Sequence, residues 1–217
     1  MCYYHGYGTE QSYEKAVEWY QKAAEQGNAD AMYSLGDCSY FIARDYAQAF
    51  EWYKKAAEQK NTNAMYNLGL LCQNGQGTEM NYEKAFEWYQ EAALNNHTNA
   101  QYETALCYKL GKGTETDYEK AVFWYRQAAG HGHVDAQYAL GLCYELGEGT
   151  EPDYGKAFEW YKKAAEQGNA DAEYKLGHCY EYGLGTEADS VKAFEWYQKA
   201  AEQGNADAAE ALLQLGG

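Results

Sequence analysis

The sequence predicts an all-α fold, an array of stacked helical pairs, on three observations. Lys15 to Ala31 reads KAVEWYQKAAEQGNADA and Lys192 to Ala208 reads KAFEWYQKAAEQGNADA, one substitution in seventeen residues. All six tryptophans (Trp19, Trp52, Trp88, Trp124, Trp160 and Trp196) fall at one phase of this unit, at intervals of 33, 36, 36, 36 and 36 residues. A fixed period of that length marks a helical repeat array. The apolar content is ordinary at 46%, but 24 Tyr and many Ala supply it. That mix suits helices whose backbones approach at Ala and Gly while rings fill the gaps.

Each repeat divides into two helices. The longer, helix B, opens after an N-cap residue: Ser12, Asp45, Asn81, Asp117, Asp153 or Asp189. Such side chains accept from the unpaired first-turn N–H groups. In the first copy Tyr13, Ala16, Val17, Tyr20, Ala23 and Ala24 follow helical spacing and make one apolar face, and Trp19 beside it is expected to reach the next repeat. The helix is expected to stop at Gly27, as at Gly132, Gly168 and Gly204, where the left-handed C′ position favours glycine. Asn96 substitutes acceptably there and Lys60 poorly. Glu18→Lys22, Glu51→Lys55, Glu159→Lys163 and Glu195→Lys199 are i, i+4 pairs in the supporting orientation.

The shorter helix A follows, over Asn28 to Tyr40 in the first complete repeat. Asn28 is its cap, Ala31, Leu35 and Cys38 form its buried stripe, and Gly36 permits close approach of a neighbour. A Gly-rich connector leads to the next helix B: GYGTE at 6–10, GQGTE at 75–79, GKGTE at 111–115, GEGTE at 147–151 and GLGTE at 183–187. The second repeat lacks it, with Phe41 to Arg44 filling in and three fewer residues, a deletion expected to distort one loop.

The pattern A-x-x-x-L-G-x-x-Y, G-x-G, then D-Y-x-K-A-x-x-W-Y-x-x-A-A-x-x-G resembles the Sel1-like repeat, a relative of the tetratricopeptide repeat. Ala136, Leu140, Gly141, Tyr144, Gly147, Gly149, Asp153, Tyr154, Lys156, Ala157, Trp160, Tyr161, Ala164, Ala165 and Gly168 carry it in full. Departures are Ala105 for the helix-A Gly, Ser39 and Cys72 for its Tyr, and Ser190 for the helix-B Tyr. The resemblance implies a right-handed α/α superhelix, a solenoid of helix-turn-helix repeats with helix A on the concave side. It implies one array over 1–217: a partial first repeat 1–27, repeats at about 28–60, 61–96, 97–132, 133–168 and 169–204, and a capping helix 205–217. Glu210 and Gln214 make that last helix polar on its outer side, as a terminal cap requires.

Net charge of −16 argues against nucleic acid and against an anionic membrane surface, and favours a basic protein or peptide. No stretch is long and apolar enough for membrane insertion. MCYYHGYGTE has no apolar core of a signal peptide. Residues 2–9 read as the tail of a repeat whose first half is missing, so the chain reads as an excerpt. The truncated repeat exposes Tyr3, Tyr4 and the first helix B to end-to-end self-association. The six cysteines, Cys2, Cys38, Cys72, Cys107, Cys143 and Cys179, recur once per repeat. Stacked helices stand roughly 9–10 Å apart and a disulfide needs Cα atoms within about 7 Å. They read as reduced, buried thiols, which favours a reducing, cytoplasmic compartment.

Catalytic and cofactor readings find little support. The connectors lack the Lys-Ser/Thr ending of a phosphate-binding loop. His131 and His133 form an H-x-H pair, but a metal site needs three or four ligands, and they read as two exposed loop histidines. No metal, cofactor or catalytic residue is expected. The helix-A tyrosines Tyr33, Tyr66, Tyr102, Tyr138 and Tyr174 lie away from the buried stripe. With them, four residues on, go Asp37, Leu70, Leu106, Leu142 and His178, and seven on Tyr40, Gln73, Lys109, Glu145 and Glu181. Inter-repeat packing explains the recurring tyrosine, whereas the varying positions suit a peptide or protein surface.

The leading reading is therefore a non-catalytic protein–protein interaction scaffold or adaptor with a helix-A groove. An alternative that the resemblance implies is weak β-lactam binding or hydrolysis, as linked to secreted, cysteine-rich Sel1-like proteins. Those pair two cysteines per repeat, and this chain has one. A fragment or consensus-like sequence with no evolved partner is the third reading.

Overall fold

The caps decide where the helices begin. In a computed structural model describing residues 12–215, Ser12, Asp45, Asn81, Asp117, Asp153 and Asp189 each accept from the backbone N–H three residues on. Directly after them run the odd-numbered helices α1 (Tyr13–Glu25), α3 (Tyr46–Glu58), α5 (Tyr82–Leu94), α7 (Tyr118–Gly130), α9 (Tyr154–Glu166) and α11 (Ser190–Glu202). Each gives way to a left-handed residue: Gly27, Lys60, Asn96, Gly132, Gly168 or Gly204. The following N–H then bonds back to a carbonyl five residues earlier, as Asn61 does to Ala56. Lys60 holds this geometry, at a φ of 66°, without glycine's freedom.

Between them lie the even-numbered helices α2 (Ala29–Asp37), α4 (Thr62–Asn74), α6 (Thr98–Leu110), α8 (Val134–Leu146), α10 (Ala170–Tyr182) and α12 (Ala206–Leu215). Asn28, Asn61, Asn169 and Asn205 cap four of them. His97 and His133 cap two more, their Nδ1 atoms accepting from the Ala100 and Ala136 N–H groups. His133 is thus a half-buried cap, not the exposed loop histidine expected, because an imidazole nitrogen replaces the asparagine oxygen; His131 is exposed. Cys2, Tyr3, Tyr4 and the connector at 6–10 lie outside the described residues.

The second repeat departs from its expected helix over Asn28 to Tyr40. Its α-helix ends at Asp37 and widens into a π-helical turn, Cys38–Ala43, before Arg44 at a φ of 56°. Three missing residues force the chain to turn inside the helix itself. In the other four turns a connector glycine presses on the first turn of the preceding odd helix. A Cβ on Gly77, Gly113, Gly149 or Gly185 would stand 2.0–2.1 Å from the carbonyl oxygen of Tyr46, Tyr82, Tyr118 or Tyr154.

The chain forms two units, Met1–Glu103 with Lys112–Thr114 and Thr104–Gly111 with Glu115–Gly217. The first is cored by Ala49, Tyr53, Ala64, Met65, Leu68 and Tyr89, the second by Tyr125, Ala128, Leu140, Tyr161, Leu176 and Tyr197, all buried. The stripe Ala31, Leu35 and Cys38 is buried as expected. Cys38, Cys72, Cys143 and Cys179 are buried free thiols, and Cys107 is buried. Tyrosine rings of odd helices lie flush on glycines of even ones. A Cβ on Gly36, Gly69, Gly141 or Gly177 would meet Tyr53, Tyr89, Tyr161 or Tyr197 at 2.4–2.7 Å.

Two expectations about the odd helices need correction. Trp19 is 58% exposed, while Trp52 packs back onto Ala24, Ala31 and Leu35. The indole therefore covers the layer before it, and no such layer precedes α1 among the described residues. The lysines of the Glu→Lys pairs reach instead over indole rings: Lys22 on Trp19, Lys55 on Trp52, Lys163 on Trp160 and Lys199 on Trp196, at 4.9, 4.3, 4.0 and 3.8 Å from the centroids. A cation over a ring face loses little hydration, and an exposed Glu–Lys pair offers little more than water does.

Candidate functional site

The even helices carry the candidate surface. All fifteen residues assigned to it from sequence are half-buried. Four of its tyrosines are anchored by ring contacts with the odd helices: Tyr33–Tyr53, Tyr66–Tyr89, Tyr138–Tyr161 and Tyr174–Tyr197, with centroids 5.6–5.9 Å apart. Packing thus accounts for the recurring tyrosine, as its regularity implied.

Several varying positions prove to hold the fold as well. Tyr53 donates its hydroxyl proton to Asp37 at 2.8 Å, Tyr89 to Gln73 at 3.2 Å, Tyr197 to Glu181 at 2.6 Å, and Tyr161 to Glu145. Each acceptor lies sixteen residues before its donor. The deletion therefore moves Asp37, four residues after Tyr33, into the role that Gln73, Glu145 and Glu181 play seven after theirs. Glu145 also takes the Lys175 ammonium at 2.9 Å, and Lys109 pairs with Glu148 at 2.9 Å. Tyr40 donates to Gln76 and packs on Phe41 and Tyr46. Leu70, Leu106, Leu142 and His178 are left as side chains with no such bond to an odd helix.

The structure brings subsets of these residues together within each unit. In the first, Tyr40 and Leu70 share a recess of about 160 Å³ with Phe41, Tyr53, Asn67 and Leu71. In the second, Tyr174, His178 and Glu181 line a recess of about 260 Å³ with Tyr182, Tyr197, Asp207, Glu210, Ala211 and Gln214. Sequence reading missed Tyr182, Asp207 and Glu210. It also missed a ladder between successive even helices: Asn61 donates to Asp30, Asn169 to Asp135 and Asn205 to Asp171, at 2.9–3.2 Å, with His97 on Asn63 at 3.1 Å. The recurring N-A-D-A was its visible signal, since each cap asparagine reaches the aspartate one repeat earlier.

Electrostatics make this a surface of protonated donors and neutral rings. Burial, then the Asp37 charge, pushes the Tyr33 phenol up to about 12. Burial and a carboxylate neighbour raise Tyr53, Tyr161 and Tyr197 further. Burial also raises Asp37, against the hydroxyls of Tyr53 and Tyr33. In Glu145 burial pushes the same way, but Tyr161 and Lys175 outweigh it and hold the carboxyl below its ordinary value. Burial, then Lys175, lowers His178 against Glu145 and Glu181, favouring the uncharged ring. Burial lifts the Cys143 and Cys179 thiols to about 11 and 12, which keeps both out of the nucleophilic thiolate form. Among the described residues no three or more His, Cys, Asp or Glu side chains are grouped to hold a metal ion, and no helix is long and apolar enough to cross a membrane.

Paired helices, glycine-seated rings and a laterally bonded even-helix face define a helical-repeat protein of the tetratricopeptide kind. The Sel1 repeat model matches residues 1–28, 29–61, 62–97, 98–133, 134–169 and 170–205. The chain belongs to the Sel1 repeat family, whose members commonly serve as protein-interaction scaffolds. Its fold is similar to that of a protective antigen of uropathogenic Escherichia coli strains, at 34% identity and a TM-score of 0.96, over 99% of this chain and 46% of that one. It is likewise similar to a Sel1 repeat protein from Oxalobacter formigenes, at 36% identity and a TM-score of 0.86, over 99% and 63%. The chain thus spans less than two thirds of the length of either. An immunity protein from Pseudomonas aeruginosa matches at 27% identity and a TM-score of 0.51, over 83% of this chain and 68% of that one. No curated protein matches the chain by sequence.

Proposed function

We propose that the chain is a non-catalytic scaffold that holds a peptide or protein on its even-helix face and favours basic segments. The observation that carries this reading is the recess at α10 and α12. Rings of Tyr174, His178 and Tyr182 meet carboxylates of Glu181, Asp207 and Glu210 there, and among the described residues no Lys or Arg lines it. Flat rings give large contact area at low entropic cost, and the carboxylates favour a partner's ammonium or guanidinium groups. Raised thiols and bonded carboxylates support binding over bond-making chemistry. The net charge of −16 adds long-range attraction for a basic partner.

Peptide arrays that pair Lys or Arg with an apolar residue supply the ligand for the test, and calorimetry the affinity. Reversing charge at the exposed residues Asp207 and Glu210 should weaken binding about tenfold or more, ~1.4 kcal/mol, with unchanged circular dichroism. Added salt should weaken it too. Undiminished binding by the double variant would move the site elsewhere.

A further inference from the structure

One space in the first unit lies beside the turn that lacks the connector. Where other copies press a connector glycine onto Tyr46, Tyr82, Tyr118 or Tyr154, the corresponding residue of α1 is Tyr13, 33 positions before Tyr46. The shortened chain leaves the π-helical turn at Ala43 and enters α3 after Asp45. Between α1, α2 with its π-helical turn, and α3 lies a cavity of about 490 Å³, with Tyr13 on its rim. Its walls are Val17, Leu35, Ile42 and the Trp52 indole, and among the described residues Glu14 is the one charged residue lining it.

We infer that this cavity is a binding site for a small, neutral aromatic molecule. Its volume falls within the range that small-ligand pockets occupy, and its chemistry matches theirs: apolar walls with few polar groups. All three walls are helical, so their backbone groups are already paired and offer an extended peptide no ladder to join. A charged ligand would lose hydration against walls that return no buried counter-charge. Polar orientation comes from Gln48, whose amide oxygen takes the Ser39 hydroxyl at 2.8 Å and keeps a second lone pair for an N–H on the ligand. Lys55 lies over the Trp52 ring, 4.3 Å from its centroid, and helps hold the indole wall in place. The site stands apart from the even-helix face, so its fate and that of the scaffold reading are independent.

Ile42 is the only isoleucine in the chain, so labelling isoleucine δ-methyl groups with carbon-13 gives a single reporter on the cavity wall. Titration with indole should move that one resonance saturably, and indole-3-acetate at equal concentration should move it less. Val17→Trp fills the cavity, and Gln21→Trp covers it from an exposed position of α1. Each should abolish the shift while circular dichroism stays unchanged. No saturable shift with indole, or a full shift retained in a folded Gln21→Trp variant, overturns the site. An equal or stronger response to indole-3-acetate overturns the ligand class.

Discussion

The turn from α2 to α3 and the turn from α8 to α9 join the same two kinds of helix by different means. At the second, Gly147 leaves the helix at a φ of 72° and Gly149 lays the chain against the Tyr118 carbonyl. At the first, the helix widens into π turns and Arg44 bears the left-handed conformation. Yet in both a tyrosine of the odd helix covers a glycine of the even one, Tyr53 on Gly36 and Tyr161 on Gly141. Both hydroxyls then bond to a carboxylate sixteen residues earlier. Asp37 is next to its glycine, whereas Glu145 stands about one helical turn beyond its own. The ring-on-glycine contact is what these two repeats share, and linker and acceptor adjust around it.

The comparison breaks most heavily at Gly149. Gly149→Ala forces a Cβ to within 2.1 Å of the Tyr118 carbonyl oxygen at a φ of 70°. It should cost about 3 kcal/mol in urea unfolding, overpacking added to left-handed strain. Arg44→Gly, at the turn without that close approach, should instead stabilise by about 1 kcal/mol, because it only relieves left-handed strain. Equal effects at the two sites would mean that the connectors do not press on the helices as described.

Removing the shared hydroxyl gives the next largest effect. Tyr53→Phe should cost about 2.5 kcal/mol and Tyr161→Phe about 1.5 kcal/mol, within the range for hydrogen bonds to charged groups. Glu145 keeps Lys175 after the loss, while Asp37 keeps only the neutral Tyr33 hydroxyl. The smallest effect is the response to acid, where the two carboxylates carry opposite signs. Glu145 titrates below 4.5 in the folded chain, so its stabilisation is present above that value and is lost as pH falls through its folded pKa. Asp37 titrates above 3.8, so the folded chain binds its proton first and gains relative stability as pH falls. Thermal melts from neutral pH down to about pH 3, below the ordinary carboxylate values, should therefore show Glu145→Gln less acid-sensitive than the parent and Asp37→Asn more so.

Helix boundaries, caps and the buried stripe were legible because they are local. An asparagine at an N-cap or a glycine at a C′ position acts on backbone a few residues away, and the repeat states each rule up to six times. The tyrosine face was legible from periodicity, but its double role was not. Whether Glu145 faces a partner or a tyrosine depends on a hydroxyl sixteen residues distant.

By itself the sequence determined a Sel1-type helical array, its register and its acidic balance, since period, caps and charge are written along one chain. Only tertiary structure decided which carboxylates are tied down, which even-helix glycine each odd-helix ring covers, and where a cavity lies beside the shortened turn. Those outcomes depend on which side chains meet across neighbouring helices, and burial sets their energies only once the helices have packed.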